Sequence, residues 1–263
     1  MSYELSDRRE SEGGKTMKIF CPEEFPVALF VNGQEMSVYQ LTNEDLEEWC
    51  YGHLFSEGVI ESADDVEEVV IREGKISVEL REDLDADALM QRKKRMTAGC
   101  GNGVTFFSMN DVLGFPKVET SHRVTLTYLL KKRHEFAKAS PMYNETGGMH
   151  GACFIMPDGS LVIREDIGRH NAVDKVIGYG LLNGVNPEDV ILLTTGRVSY
   201  EMLSKSARYG IGVIGSRTAA TKQAVQLANF LGVEVVGYIR GKMSFVYTKH
   251  EKVINDLKAA TSI

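Results

Sequence analysis

The chain has only four cysteines, at 21, 50, 100 and 153, with no Cys-x-x-Cys among them. That spacing supports neither a disulfide framework nor a tetrahedral zinc site, and it fits a cytoplasmic protein with reduced thiols. No apolar run approaches the roughly 18 residues of a membrane-spanning helix. Residues 1–17 are polar and charged, lack the apolar core of a signal peptide, and read as a disordered tail. Positive charge is not in excess: 30 Lys and Arg stand against 37 Asp and Glu, a formal net charge of −7. This excludes nucleic-acid binding by bulk electrostatics but leaves local basic clusters free to hold anions. With 263 residues, 43% of them hydrophobic, the chain can bury one large core or two unequal ones.

What is present begins with Gly99-Cys100-Gly101-Asn102-Gly103, just after the cationic run Arg92-Lys93-Lys94-Arg95. Glycine permits positive φ and close approach by another molecule. A thiol in an electropositive, partly open setting is biased toward the nucleophilic thiolate. An incidental cysteine in a flexible surface loop is the alternative, and these residues alone do not separate the two. Residues 83–95 predict a short charged helix whose basic end leads into this loop.

Upstream, Asn32-Gly33 between Pro26–Val31 and Gln34–Tyr39 predicts a hairpin with a type I′ turn. Thr42-x-x-Asp45 has capping-box spacing and predicts a helix start. Leu46, Trp49, Cys50, His53 and Leu54 share one helical face, so Cys50 and His53 are expected in the core rather than on a metal. Glu73-Gly74 joins a second predicted hairpin, with Ile76, Val78 and Leu80 inward.

In the second half, Thr125–Ala139 is an amphipathic helix, and strands are expected at Ala152–Met156 and Leu161–Arg164 around the Pro157-Asp158-Gly159 turn. Cys153 lies inside an apolar strand and is expected to be core. Strands at Val190–Thr194, Ile211–Ile214 and Glu234–Ile239 then alternate with helices at Asn171–Leu182, Ser199–Arg208 and Thr221–Leu231. A strand at Ser244–Thr248 and a helix near Glu251–Ala259 complete the prediction. The alternation predicts a largely parallel sheet covered on both faces. The fold class is α/β, with a small α+β domain over 18–120 and a larger αβα domain over 121–263.

Three strands run into similar loops: Thr195-Gly196-Arg197, Ser216-Arg217 and Arg240-Gly241-Lys242. In parallel α/β sheets the carboxyl ends of strands share one ligand-binding edge. Helix N-termini attract anions there, and each arginine offers a fork matched to phosphate. His170 and Asp174, within Arg164–Lys175, are placed by the pattern where both can reach that edge. Asp174 could accept hydrogen bonds from a base or ribose, or simply complement the helix dipole.

The chain resembles the formate dehydrogenase accessory proteins, the FdhD/NarQ-type sulfurtransferases, over nearly everything after the tail. The resemblance rests on Val31-Asn32-Gly33, Gly52–Gly58, Gly99-Cys100-Gly101, Thr146-Gly147-Gly148-x-His150, Glu165–Lys175, Thr195–Ser199 and Ser216-Arg217. It implies a sulfur carrier that accepts sulfur from a cysteine desulfurase as a persulfide on Cys100. Delivery would be to the molybdenum (or tungsten) bis-guanine-dinucleotide cofactor of formate dehydrogenase. It further implies a cytidine-deaminase-like three-layer domain, a homodimer and binding of a guanine nucleotide such as GDP. Tyr238, Ile239, Arg240, Gly241, Lys242 and Met243 match the family's cofactor-contacting segment, and His150 belongs to a shared motif without an assigned role. A chaperone that only holds the cofactor is the alternative. Two departures stand out. The family's loop usually reads Cys-x-x-Cys, and here Gly103 replaces the second cysteine, so a Cys100 persulfide has no partner thiol to form a disulfide. The chain also lacks the His-x-Glu and Pro-Cys-x-x-Cys signature of zinc deaminases. Neither nucleic acid nor membrane is expected as a partner.

Overall fold

The computed structural model describes residues 20–81, 117–120, 123–240 and 243–257. The expected tail over 1–17, the short helix over 83–95 and the Cys100 loop with its basic run lie outside these residues.

The small unit is a four-stranded sheet in the order β2-β1-β4-β3. Strands β1 (Phe25–Val31) and β2 (Gln34–Leu41) turn at Asn32 and Gly33, whose φ values of 46° and 75° are the paired positive angles the Asn-Gly signal predicts. The Asn32 side chain also accepts from Leu80 N–H at 2.8 Å, tying the turn to β4 (Lys75–Leu80). Strand β4 runs parallel to β1 and antiparallel to β3 (Val66–Arg72). Ile76, Val78 and Leu80 are buried, as alternation requires.

Helix α1 (Leu46–Ser56) crosses between the hairpins. Its start corrects the capping-box expectation. Asp45 is the N-cap residue with φ 52° and no side-chain cap, because Thr42 is committed elsewhere. The Thr42 N–H donates to Asp166 Oδ2, its hydroxyl accepts from Ile167 N–H, and its carbonyl accepts from Lys175 Nζ. Cys50 and His53 are buried, as their helical face predicts.

The larger unit is built on a six-stranded sheet in the order β11-β10-β9-β8-β6-β7. Its strands are β6 (His150–Ile155), β7 (Leu161–Asp166), β8 (Ile191–Thr194), β9 (Val213–Ser216), β10 (Glu234–Arg240) and β11 (Met243–Val246). Only the β8–β9 and β9–β10 pairings are parallel; β6 and β11 run against their neighbours, and β7 pairs antiparallel with β6. The sheet is therefore mixed rather than largely parallel. The reason is connection length: the turn at 157–160 and the two-residue link at 241–242 are too short for parallel crossovers.

Helix α2 (Leu126–Lys138) covers one face, where Leu126, Leu129 and Phe136 meet Cys153, Leu193 and Ile239. Helices α4 (Arg169–Leu182), α5 (Tyr200–Tyr209) and α6 (Lys222–Leu231) cover the other, against Phe154, Leu192, Ile214 and Val235. This is the expected three-layer αβα arrangement, and β6 shows why: Phe154 and Cys153 are neighbours in sequence and face opposite layers. A short helix α3 (Pro141–Thr146), absent from the sequence reading, links α2 to β6. The predicted C-terminal helix does not form over 251–257. Instead β12 (Val253–Ile254) pairs in parallel with β5 (Val124–Thr125). The Glu234 carboxylate holds the His250 and Lys252 backbone N–H groups, which pins the chain in extended form there.

The units share one hydrophobic cluster, which runs from Val27 and Leu29 through α1 to α4, α5 and the sheet. Helices α1 and α4 cross at Gly52 and Gly178. A Cβ on Gly52 would strike the Asp174 carbonyl, and one on Gly178 the Glu48 carbonyl. Residues 117–120, read from sequence with the small domain, lie on the large unit: Val118 N–H donates to Leu231 O at 2.8 Å.

Candidate functional site

Register fixes which residues reach the edge at the carboxyl ends of the parallel strands. Leu193 pairs with Gly215 and Thr194 with Ser216, so the carboxyl ends of β8 and β9 are level. Because β6 is antiparallel to β8, its first residue, His150, lies at the same edge, opposite Asp166 at the end of β7. The N-terminus of α4 follows directly. The expected β6–β7 hairpin, together with the antiparallel β6–β8 pairing that the sequence does not reveal, thus brings His150, Arg169 and His170 to the loops after β8 and β9.

Those loops are stitched together. Ser216 Oγ donates to Gly196 O at 2.7 Å, and Val198 N–H donates to Ala219 O at 3.1 Å. Arg217 N–H donates to Thr194 O at 3.0 Å. The Thr195 hydroxyl accepts from Gly151 N–H at 2.9 Å and lies 3.4 Å from His150 Nδ1. Gly196 has a local reason to be glycine: the Arg169 stem lies where its Cβ would be. Arg169 was not among the expected site residues. Its Nε is buried without a hydrogen-bond partner, and α4 begins at Gly168 with no side-chain cap. An uncapped helix N-terminus and an unsatisfied guanidinium NH meet at one place, and both favour an anion.

The histidines feel this charge. Burial and then Arg169 push His150 below the ordinary imidazole range. Burial, then Lys205 and Arg169, push His170 down to about 4. With the His170 ring neutral, its 3.2 Å contact to Glu201 is a hydrogen bond rather than an ion pair. His170 also lies 3.4 Å from Ser199 Oγ, the N-cap of α5.

Asp174 is placed differently from the base-reading option. It sits 1% exposed between α1, α4 and α5, with Oδ2 bonded to Lys205 Nζ at 2.6 Å and His53 Nδ1 at 3.4 Å. Oδ1 accepts from Ser56 at 2.8 Å. Burial alone would raise this carboxyl, but Lys205 and His53 overcome it and bring it down to about 2. His53 Nε2 continues the network to Tyr39 at 3.0 Å.

Along β10, Glu234 pairs with Val213 and Val236 with Gly215, so Tyr238 is level with the edge and Arg240 projects beyond it. Tyr238 has φ 52° at an irregularity in the β10–β11 pairing, and its N–H donates to Thr218 O at 2.9 Å. The exposed Arg240 guanidinium lies 5.5 Å from the Tyr238 ring centroid. Ile239 is wholly buried against α2 and belongs to the core. Arg197 is exposed on its loop. Gly241 and Lys242 lie outside the described residues, and Met243 begins β11. Cys50 and Cys153 are fully buried, and burial pushes both thiols up; Cys21 is exposed.

The fold and site define a class: a three-layer αβα protein with an arginine- and histidine-lined sheet edge, joined through a buried polar network to a small α+β unit. The profile of the FdhD/NarQ family matches residues 22–254, and the chain belongs to that family. It is 38% identical over 237 residues to the sulfur carrier protein FdhD of Staphylococcus aureus strain JH9, covering 88% of each chain. The same values hold for the protein of that name from strain Newman. Its structure matches the crystal structure of a "putative formate dehydrogenase accessory protein" from Desulfotalea psychrophila with a TM-score of 0.76 and 28% identity. That match covers 96% of this chain and 99% of the other. Among the described residues no helix is long and apolar enough to cross a membrane.

Proposed function

We propose that this protein is a sulfurtransferase for formate dehydrogenase maturation, taking sulfur from a cysteine desulfurase as a persulfide on Cys100. The acceptor is the molybdenum bis-guanine-dinucleotide cofactor, bound as substrate. The observation that carries this reading is the state of the cysteines. Cys50 and Cys153 have no solvent access and hold their protons, so neither can act as a nucleophilic thiolate. Of the other two, only Cys100 has glycine on both sides and a basic run upstream. The name of the relatives at 38% identity, sulfur carrier protein, supports the same chemistry.

The Cys100 thiolate attacks the outer sulfur of the donor persulfide. The donor S–S bond breaks, the desulfurase cysteine leaves as thiolate, and Cys100 carries the S–S⁻ group. The edge holds the nucleotide parts of the substrate meanwhile, through Arg169, Arg197, Arg217 and the α4 N-terminus, with His150 and His170 flanking. Tyr238, with Arg240 over its ring, is the aromatic surface at the end of that edge and suits a guanine. Asp174 is left out of this role because Lys205, His53 and Ser56 occupy its carboxylate. The functional unit is a homodimer.

Incubation with a desulfurase and cysteine, followed by peptide mass spectrometry, should place one added sulfur on Cys100. Sulfur on Cys21, Cys50 or Cys153 instead overturns the assignment. In cells lacking their own accessory protein, Cys100→Ala should abolish formate dehydrogenase activation while protein level and GDP binding stay unchanged. Full activity from Cys100→Ala would make the protein a cofactor chaperone only.

A further inference from the structure

Helix α2 was expected to supply only an apolar stripe. Its polar margin does more. A pocket between α2 and the edge is bounded by Arg133, Phe136 and Ser140 on one side and by Tyr143, Thr195 and Arg217 on the other. Arg217 donates to the Tyr143 hydroxyl at 2.8 Å, which aims its guanidinium across the pocket mouth. Glu165 also borders the pocket, but its carboxylate accepts from the Met142 and Tyr143 backbone N–H groups at 3.0 and 2.8 Å. Among the described residues no carboxylate is bonded to Arg133 or Arg217.

Two guanidiniums therefore border one largely apolar recess, and the carboxylate on its border, Glu165, is bonded to backbone N–H groups rather than to either of them. Burial and the nearby Arg217 charge both weaken proton binding by Arg133, the signature of like charges held close in a partly desolvated place. Lys131 and Lys132 on the same helix are paired with Glu135, whereas Arg133, which borders the pocket, has no such partner among the described residues. An anion between Arg133 and Arg217 would relieve both costs, and a tetrahedral phosphate can accept from two guanidinium forks at once.

We infer that Arg133 and Arg217 clamp a phosphate group of the nucleotide ligand at the mouth of this pocket, which makes Arg133 a binding residue for the substrate. The inference rests on the reading that the edge holds a guanine dinucleotide. It adds a helix on the opposite side of the sheet from α4, so that phosphate is gripped from both layers.

The test is calorimetric titration of the full-length protein with GDP and, separately, with inorganic pyrophosphate. Arg133→Gln should weaken both by about 10- to 100-fold, the range for losing a charge-assisted hydrogen bond. Arg133→Lys, which keeps the charge but not the fork, should fall between. Lys131→Gln, on the exposed face of the same helix, should bind as wild type does. Loss of pyrophosphate affinity alone would make the clamp a site for free anion and overturn the nucleotide assignment. Arg133→Gln binding both probes like wild type would overturn the inference and leave the sulfur-carrier reading standing. A wild-type protein that binds neither probe would overturn the nucleotide-edge reading together with the inference; Cys100 persulfidation is measured independently of both.

Discussion

Removing the ammonium of Lys205 tests the buried charge network that lies where the two units meet. Lys205→Met keeps most of the stem and leaves the Asp174 carboxylate, 1% exposed, with only Ser56 and His53 as partners. Breaking a buried pair from one side costs about 3 to 5 kcal/mol. Two remaining donors place this case near the lower end, about 3 kcal/mol. A second route gives a similar size. The Asp174 carboxyl lies at about 2 against an ordinary 3.8. A gap of nearly two pH units corresponds to roughly 2 kcal/mol. Since the folded value lies below the unfolded one, this contribution is complete at neutral pH. It shrinks as pH falls below about 5 and is gone only near pH 1, below both values.

Urea unfolding of wild type, Lys205→Met, Asp174→Asn and the double variant at pH 7 measures the pair directly. Each single variant should lose about 3 kcal/mol, since each leaves one buried polar group without its main partner. The double variant should lose clearly less than the sum, because neither charge is then stranded. The gap between wild type and Asp174→Asn should narrow as pH falls from 4 toward 2. Strict additivity, or a Lys205→Met midpoint within about 0.5 kcal/mol of wild type, would refute the reasoning.

Two further outcomes follow from the same geometry. Gly178→Ala drives a methyl into the Glu48 carbonyl of α1, and with no flexible side chain to yield it should cost about 3 kcal/mol or more, read from the thermal midpoint. His170 titrates at about 4 when folded and near 6.5 when unfolded, so the fold favours the neutral ring and wild type loses stability as pH falls from 6.5 to 4. Allowing for a side chain 28% exposed, that loss is about 2 kcal/mol. His170→Gln should flatten it, and parallel pH profiles for the two proteins would count against the assignment.

The elements were largely legible because short-range chemistry determines them. Asn32-Gly33 and Glu73-Gly74 set the hairpins, and Thr125, Ser199 and Thr221 cap helices through their hydroxyls. Thr42-x-x-Asp45 has the same local signature yet caps nothing, since Asp166 and Lys175, more than 120 residues away, engage Thr42. The parallel edge after β8 and β9 could be read from repeated strand–loop patterns. The hairpin of β6 and β7 could be read from the turn between them, but the antiparallel pairing of β6 with β8 could not, because alternating apolar residues look alike in either direction. Arg169 and Arg133 escaped for a related reason. Periodicity identifies the apolar stripe of a helix, but not which polar residue at its margin will face a loop from elsewhere in the chain. The short turn at 157–160 was the available signal for the first; for Arg133 the sequence offered none.

The Glu165–Lys175 block is long and polar, and its appearance at a ligand edge invites a catalytic reading of every residue. Helical geometry divides it instead. Asn171, Asp174 and Lys175 face the small unit. Asn171 bonds Trp49, Asp166 and Gln40; Lys175 bonds Asp166, Thr42 and the Glu165 carbonyl. Arg169 and His170, one turn earlier, remain at the edge. Buried ion pairs are poor sources of net stability, and apolar replacements of equal volume often do as well. What they supply is direction. The Gly52–Gly178 crossing brings two backbones close without side chains to interdigitate, so packing alone resists sliding weakly. The bonds that cross it, His53 and Ser56 to Asp174 and Thr42 to Asp166 and Lys175, are met together in one register. That register holds the α4 N-terminus, and with it the Arg169 stem, against Gly196 at the edge. The buried half of the block is therefore a positioning device for its exposed half.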